Sequence, residues 1–295
     1  MEFSKGFVIN RDYKTYYEVY GKLDSKTIPL IVLHGGPGGT FGSYEPLTKL
    51  VNNGYCVIFY NQHGSGSSKI LNKEKNLYNF ETYEDELDSL AKYLKLKKFN
   101  LLGHSWGGML ALRYVLDREC SKINSLILFS SLPSSKLWND ESLRMIEYFP
   151  KAYKDVLLKD KNGQKVNQKL LKKAVKLFIT MHVKDRKRVV YQYEHQRKMK
   201  FNKDAYNKMW GNSELFCKGT LLDYDVINDL EKIILPTLLL SGQDDESTPY
   251  MNKIMHDKIK DSKWILLEKS QHVGYSEEPD LVLNTLSEWL NKYTK

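Results

Sequence analysis

Gly103-His104-Ser105-Trp106-Gly107 lies between a short apolar run, 99–102, and an apolar helical pattern over 108–116. The pentapeptide matches G-x-S-x-G. A strand, a sharp turn and a helix form the context in which that pattern makes a nucleophile elbow. The alternative interpretation is an ordinary turn rich in glycine and serine, because the pattern alone is common. With these flanks, the stretch predicts a strand–turn–helix unit that presents Ser105 as a candidate nucleophile.

Apolar runs of strand length recur on both sides of this unit, separated by helical patterns. The predicted strands are 7–10, 15–20, 28–33, 55–60, 99–102, 123–129, 236–242 and 264–268. A helix is predicted to open at Thr82-Tyr83-Glu84-Asp85, which fits a capping box, and another follows Pro279. Strands that alternate with helices indicate an α/β fold with a mostly parallel central sheet flanked by helices.

The alternation stops between residues 134 and 228. This segment has helical patterns, is rich in lysine and contains no apolar run comparable to the predicted strands. We therefore predict two parts of one core, 1–133 and 229–295, interrupted by an inserted helical cap at 134–228. The chain of 295 residues has room for a core domain with such an insertion.

Positive charge is concentrated in one region of the chain. The net charge is +9, and residues 151–210 contain 18 Lys or Arg against 5 Asp or Glu. Such a basic region could bind nucleic acid. We favour a solvated, lysine-rich helical surface and expect no nucleic-acid partner. No helix-turn-helix spacing, zinc knuckle or RNA-binding aromatic pattern accompanies the charge.

Neither a membrane segment nor a cofactor motif stands out in the sequence. The first residues lack the apolar core of a signal peptide, and no stretch approaches the roughly 20 apolar residues that cross a bilayer. Cys56, Cys120 and Cys217 are scattered without zinc or disulfide spacing. The glycine-rich loop 34–39 lacks the spacing of a nucleotide site. We expect a cytoplasmic protein with no membrane contact, metal or cofactor.

Two of the later predicted strands end in residues that suit a catalytic base and acid. His272 follows the last strand, and Asp244, Asp245 and Glu246 follow the strand before it. Because parallel strands end at a common edge of the sheet, these side chains can meet Ser105 there. A serine hydroxyl needs a base to remove its proton, and that base needs an orienting acid. His272 is the predicted base, with an ordinary surface histidine as the alternative.

Position alone leaves the acid open among the three carboxylates of the loop 244–246. The pattern G-x-x-D-x-x-x-P, which ends at Pro249, selects Asp245. The chain order is then Ser105, Asp245 and His272, which is the order used by α/β-hydrolases.

Acyl transfer also requires hydrogen-bond donors for the oxyanion that develops on the substrate carbonyl. The backbone N–H of Trp106, directly after the candidate nucleophile, is the first predicted donor. We choose Gly36 as the second, because a glycine lets the loop backbone approach the substrate closely. The alternative is that His34-Gly35-Gly36-Pro37-Gly38-Gly39 forms only a tight turn.

Three motifs follow one another along the chain. His34-Gly35-Gly36-Pro37-Gly38 looks like an H-G-G-P-G loop, and Gly103-His104-Ser105-Trp106-Gly107-Gly108 is similar to a G-x-S-[WY]-G-G elbow. Pro236-Thr237 and the loop 242–249 look like an acid strand and loop of the form P-T…G-x-x-D-E-x-T-P. In these motifs the chain resembles the proline iminopeptidases (prolyl aminopeptidases), including the related tricorn-associated aminopeptidase. These are serine peptidases of the α/β-hydrolase fold, and the likeness runs over nearly the whole length.

The resemblance implies that carboxylates hold the positively charged amino terminus of the substrate. Glu246 directly follows Asp245, and Glu214 matches a glutamate in the cap of the family. A cation gains more from two partly desolvated carboxylates than it does in water. The alternatives are an ordinary loop acid for Glu246 and a solvated cap residue for Glu214. The chain departs from the family at Asn61, where the family usually has an aspartate.

These observations predict a serine aminopeptidase that releases N-terminal residues, preferably proline, from short peptides with a free amino terminus through an acyl-enzyme. An esterase, a lactonase or an amino-acid amidase on the same scaffold is the alternative. A non-catalytic ligand receptor on the same scaffold and a cap that binds nucleic acid are the further alternatives.

Overall fold

The computed structural model of the protein describes residues 2–190 and 199–294. Residues 191–198, which belong to the predicted cap, lie outside the described residues. No helix in the described ranges is both long and apolar enough to cross a membrane.

The described residues form one nine-stranded, mostly parallel sheet. Its strands are β1 (Phe3–Ile9), β2 (Tyr13–Tyr20), β3 (Leu30–Leu33), β4 (Val57–Asn61), β5 (Lys69–Ile70), β6 (Phe99–His104), β7 (Ile123–Phe129), β8 (Thr237–Gly242) and β9 (Ser262–Leu267). The order across the sheet is β1-β2-β4-β3-β6-β7-β8-β9, with the short β5 paired to β2. Strands from β4 to β9 in that order run parallel, and β2 pairs antiparallel with its neighbours. The predicted mostly parallel sheet is confirmed.

Helices cover both faces of the sheet. The α-helices are α1 (Phe80–Tyr93), α2 (Trp106–Asp117), α3 (Ser135–Ile146), α4 (Lys151–Lys161), α5 (Gln168–Phe178), α6 (Lys203–Met209), α7 (Pro249–Lys258), α8 (Gly274–Glu277) and α9 (Pro279–Thr294). A 3-10 segment spans Phe41–Asn53, and a π-helical turn spans Ile179–Val183. One apolar cluster lies under α1, α2 and α7, and a second lies under Phe41–Asn53, α8 and α9.

The sequence of β3 is continuously apolar because both faces of this central strand are covered. Ile31 and Leu33 point into the first cluster, whereas Leu30 and Val32 point into the second. Successive side chains of a strand alternate between the two faces, so a strand covered on both sides needs an apolar residue at every position. All four residues of β3 are buried.

Helix α1 begins earlier than the sequence predicts. Asn79 is its N-cap, and the Asn79 side-chain oxygen accepts a hydrogen bond from the Thr82 N–H at 3.0 Å. The predicted capping box at Thr82–Asp85 is therefore wrong. Asparagine is among the strongest N-cap residues, and its position three residues before Thr82 places Thr82 inside the first turn.

The segment between β7 and β8 leaves the core and returns to it at one place. The Ser135 N–H donates to the Tyr224 carbonyl, and the Val226 N–H donates to the Pro133 carbonyl, each at 2.9 Å. The described part of this segment contains α3–α6 and has its own apolar cluster around Phe178 and Phe216. These contacts support a cap with boundaries close to 134 and 228, which we propose as the division of the chain.

Candidate active site

Ser105 occupies a strained turn between β6 and α2. Its backbone angles are φ 55° and ψ −123°, and a residue other than glycine adopts a positive φ only when the surrounding structure imposes it. A Cβ atom on Gly107 would collide with the Leu33 carbonyl, and one on Gly103 would collide with the Gly107 carbonyl. The Ser131 hydroxyl donates to the Ser105 carbonyl at 3.0 Å. This packing forms the sharp turn that the G-x-S-x-G pattern predicts.

His272 contacts one of the three candidate acids directly. Its Nδ1–H donates to Asp245 Oδ1 at 2.7 Å, and the Ser247 N–H donates to the same oxygen at 2.8 Å. The Asp244 carboxylate instead pairs with Arg188 at 2.8 Å. Burial alone would lower the pKa of His272, but the charge of Asp245 and its hydrogen bond outweigh burial and raise it. The geometry thus favours Asp245, as the sequence spacing does.

Ser105 and His272 line one cavity of about 440 Å³. Gly36, Glu214 and Glu246 line it as well. Because His272 Nδ1 is engaged by Asp245, its Nε2 is the nitrogen left to face this space, where it lies 3.6 Å from Glu246 Oε1. The cavity therefore brings together the candidate nucleophile, the candidate base and both carboxylates that the resemblance implies.

The two predicted oxyanion donors both lie next to Ser105. Trp106 is the first residue of α2, and the first N–H groups of a helix have no partner within it. Gly36 has a φ of 50°, and both residues line an apolar recess next to Ser105. The neighbouring Gly35 N–H is already engaged, since it donates to the Tyr44 hydroxyl at 2.8 Å. Gly36 is thus a better choice than Gly35 for a donor to substrate.

Glu246 is a buried carboxyl group close to a second one. It is fully buried, and among the described residues no N–H or hydroxyl group donates to either of its side-chain oxygens; the Glu214 carboxyl is close enough to share a proton with it. Burial raises the pKa of Glu246 well above its usual range, and the charges of Glu214 and Asp245 add to the rise. Glu214 itself accepts a hydrogen bond from the Tyr206 hydroxyl at 2.7 Å. A carboxyl pair with one fully buried and one half-buried member gains most from a cation with N–H donors.

A turn of the cap rests on the loops that carry the candidate acid and base. The Gln271 side chain donates to the Thr180 and Met181 carbonyls at 2.7 and 2.6 Å. The Glu246 N–H donates to the His182 carbonyl at 3.0 Å. The π-helical turn Ile179–Val183 therefore contacts both loops.

Asn61, the departure from the family pattern, is buried at the end of β4. Its side-chain oxygen accepts from the Phe41 N–H at 3.1 Å, and its backbone carbonyl accepts from the Ser68 hydroxyl at 2.6 Å. An aspartate could also accept the Phe41 bond, so the amide preserves this link between β4 and the 3-10 segment without a buried charge. Among the described residues, no three or more His, Cys, Asp or Glu side chains are grouped so that they could hold a metal ion.

Sequence reasoning missed the residues that hold these groups in place. His104 accepts a hydrogen bond from the Tyr44 hydroxyl at Nδ1 and donates from Nε2 to the His272 carbonyl, each at 2.8 Å. Ser131 and Gln271 were also missed. His104 occupies the first variable position of G-x-S-x-G, which marks it for attention, whereas no local pattern points to Tyr44.

Comparison with known proteins shows the family of the chain. A family model described as alpha/beta hydrolase fold matches residues 28–279. The chain is 38% identical over 294 residues to the proline iminopeptidase of Lactobacillus helveticus (strain DPC 4571), with 99% of each chain covered. The crystal structure of VinJ matches with a TM-score of 0.87 at 30% identity, covering 98% of this chain and 99% of that one. The crystal structure of proline iminopeptidase from Mycobacterium smegmatis matches with a TM-score of 0.86 at 25% identity, covering 99% of both chains. The chain therefore belongs to the proline iminopeptidase family of α/β hydrolases.

Proposed function

We propose that this protein is a prolyl aminopeptidase, which removes the N-terminal residue, preferably proline, from short peptides with a free amino terminus. The observation that carries the proposal is the buried Glu246 carboxylate, which lies in the same cavity as Ser105 and His272 and has Glu214 beside it. An ester or lactone supplies no cation for such a pair, whereas a peptide amino terminus does.

Ser105 is the proposed nucleophile and His272 the proposed base. Ser105 Oγ attacks the scissile carbonyl while its proton passes to His272 Nε2, and Asp245 holds the imidazole through the 2.7 Å bond to Nδ1. His272 then donates the proton to the leaving amine. Water hydrolyses the resulting acyl-enzyme with His272 as the base again. The backbone N–H groups of Gly36 and Trp106 stabilise the oxyanion in both tetrahedral intermediates.

Glu246 and Glu214 are the proposed amine-binding residues. A protonated secondary amine offers two N–H donors and a positive charge, which match the buried oxygens of Glu246 and the half-buried carboxylate of Glu214. Binding of the amine positions the carbonyl of the same residue against Ser105. The recess lined by Trp138, Tyr206 and other apolar residues adjoins Glu214 and Ser105. At about 10 Å³ it is too small to enclose a proline ring, so the ring would lie in the 440 Å³ cavity with this apolar wall beside it.

Turnover of a proline arylamide tests this proposal. Wild-type protein should release the arylamine, and Ser105→Ala should not exceed the uncatalysed rate. A panel of p-nitrophenyl esters and aminoacyl arylamides compares the alternatives. Turnover of esters, lactones or simple amides without turnover of any aminoacyl arylamide would reject the peptidase in favour of an esterase, lactonase or amidase. Failure of a fluorophosphonate to label Ser105 would reject the serine-hydrolase mechanism itself.

A further inference from the structure

Gln62 lies at the C-terminal end of β4 and is fully buried. We propose that Gln62 is a positioning residue for the oxyanion hole, because it ties the loop that carries Gly36 to Trp106. The inference rests on the proposed function in one respect: it takes the N–H groups of Gly36 and Trp106 as the two donors.

Gln62 contacts both halves of the proposed oxyanion hole. Its backbone N–H donates to His34 Nε2 at 3.0 Å, and its side-chain oxygen accepts from the Trp106 indole N–H at 2.9 Å. A longer contact of 3.4 Å runs from its side-chain nitrogen to the His34 carbonyl. Since His34 starts the glycine-rich loop and Trp106 starts α2, one side chain connects the two segments.

The direction of each bond is set by the donors and acceptors present. The Trp106 indole N–H can only donate, so the Gln62 atom that faces it must be the carbonyl oxygen. Burial lowers the pKa of His34 to about 4, so this ring is neutral at neutral pH. Because Nε2 accepts from the Gln62 N–H, the His34 proton resides on Nδ1, which faces the Gly35 carbonyl at 3.2 Å. All partners are satisfied in one arrangement.

The sheet order explains why such a connection is needed. β3 lies between β4 and β6, so Gln62 follows one neighbour of β3 and Trp106 follows the other. The Gly36 loop leaves the end of β3 between them. Oxyanion donors stabilise a transition state only when they are held in place before the reaction. Gln62 thus spans the end of β3 and fixes the Trp106 indole, and with it the first N–H of α2, relative to the Gly36 loop.

A glutamine that is merely buried would affect stability alone, whereas a positioning residue would also affect kcat. This difference makes the inference testable. Gln62→Met keeps the length of the side chain and the backbone bond to His34, and it removes only the side-chain bonds. Trp106→Phe removes the indole N–H from the other side. Gln164→Met, at an exposed position of the cap, is the matched control.

The measurements are kcat and KM for a proline arylamide, together with inhibition by a boronate analogue of proline and by free proline. The boronate forms a tetrahedral adduct with serine, whereas proline occupies only the amine site. We expect Gln62→Met to lower kcat and boronate affinity by about 10- to 100-fold, with KM and proline inhibition nearly unchanged. The double variant with Trp106→Phe should lose little more than either single variant, because both remove the same bond.

Unchanged boronate affinity in folded Gln62→Met would overturn the inference, as would a fully additive double variant. If Gln62→Met does not fold, Trp106→Phe alone decides, since it leaves Gln62 in place. Hydrolysis of p-nitrophenyl acetate separates this inference from the proposed function, because that ester needs the oxyanion hole and no amine site. A wild-type protein that cleaves the ester but not the arylamide would refute the aminopeptidase, and the effect of Gln62→Met on the ester would still decide its role.

Discussion

His104 Nε2 donates a 2.8 Å hydrogen bond to the backbone carbonyl of His272, so the residue before the proposed nucleophile holds the proposed base. Burial lowers the pKa of His104 well below its usual value, and a neutral ring that donates from Nε2 must accept at Nδ1. The donor at Nδ1 is the Tyr44 hydroxyl at 2.8 Å, which itself accepts from the Gly35 N–H. A continuous chain of bonds therefore joins the glycine-rich loop to the base.

Tyr44→Phe tests this chain. The substitution leaves the part-buried Gly35 N–H without this acceptor and the buried His104 Nδ1 without a donor, and each such loss costs about 1–3 kcal/mol at most where the group is shielded from water. We expect the free energy of unfolding to fall by a few kcal/mol at most and kcat to fall severalfold. Urea unfolding and proline arylamide kinetics provide the measurements. Tyr148→Phe, at a side chain that is 90% exposed, is the control and should change neither. Equal behaviour of the two variants would contradict the role assigned to Tyr44.

The pH dependence of kcat/KM tests the pairing of His272 with Asp245. His272 acts as a base only when neutral, and its raised pKa means that activity falls as pH drops through a value above 6.5. Asp245→Asn removes the charge that raises this pKa, so the acid limb of the residual activity should move to lower pH. The rate itself should fall by about 10⁴-fold, because the imidazole loses its orienting acceptor.

Asp244→Asn is the matched control for that experiment. Asp244 pairs with Arg188 rather than with His272, so its substitution should leave the acid limb in place. A shift of the limb in Asp244→Asn, or none in Asp245→Asn, would contradict the assignment of the acid.

The meeting of Ser105, Asp245 and His272 could be anticipated from the sequence because it depends on a few strand ends. Parallel strands end at one edge, and β6, β8 and β9 each precede one of these residues. The elbow was equally accessible, since G-x-S-x-G, a buried strand and an apolar helix are all local patterns. These features require no knowledge of how distant segments pack.

The supporting contacts could not be anticipated, because each joins segments that are far apart in the chain. Gln62 and Trp106 are 44 residues apart, and Tyr44 and His104 are 60 apart. No periodicity or turn signal in either segment specifies the partner. Glu214 is a similar case: only the resemblance pointed to it, since its position depends on how the cap packs over the core.

Glu246→Gln and Glu214→Gln test amine recognition. Each substitution removes a carboxyl group that can carry a negative charge beside the bound cationic amine. We expect kcat/KM for a proline arylamide to fall roughly thirtyfold or more. This factor corresponds to a loss of about 2 kcal/mol of transition-state binding, as found when one partner of a buried charge pair is removed. An N-acetylated substrate should be a poor substrate for the wild-type protein and should lose little further in the variants.

Glu268→Gln, at an exposed position after β9, is the control for both variants. If the wild-type protein cleaved the N-acetylated substrate at the full rate, the two carboxylates would not serve the amine, whatever the variants did.

Glu277→Gln tests how a buried acid beside the site affects stability. Glu277 accepts from the Gln271 N–H at 2.7 Å, and the charged or titratable groups around it include Asp245, His272, Arg188, Lys184 and Tyr275. Burial raises the pKa of Glu277 from 4.5 to about 7. Between these values the folded state binds more protons than the unfolded state, so Glu277 lowers the stability of the wild-type protein as pH rises from 4.5 to about 7.

The glutamine variant lacks this titration but can still accept the Gln271 bond through its amide oxygen. The free energy of unfolding of Glu277→Gln minus that of wild type should therefore be larger at pH 8 than at pH 5, as measured by urea unfolding at both pH values. Glu288→Gln, on an exposed position of α9, should follow the wild-type pH dependence. If the stability difference between Glu277→Gln and wild type were the same at both pH values, the pKa of Glu277 could not be raised. The acid would then be charged throughout this range, and its buried position would need a compensating cation such as Arg188 or Lys184.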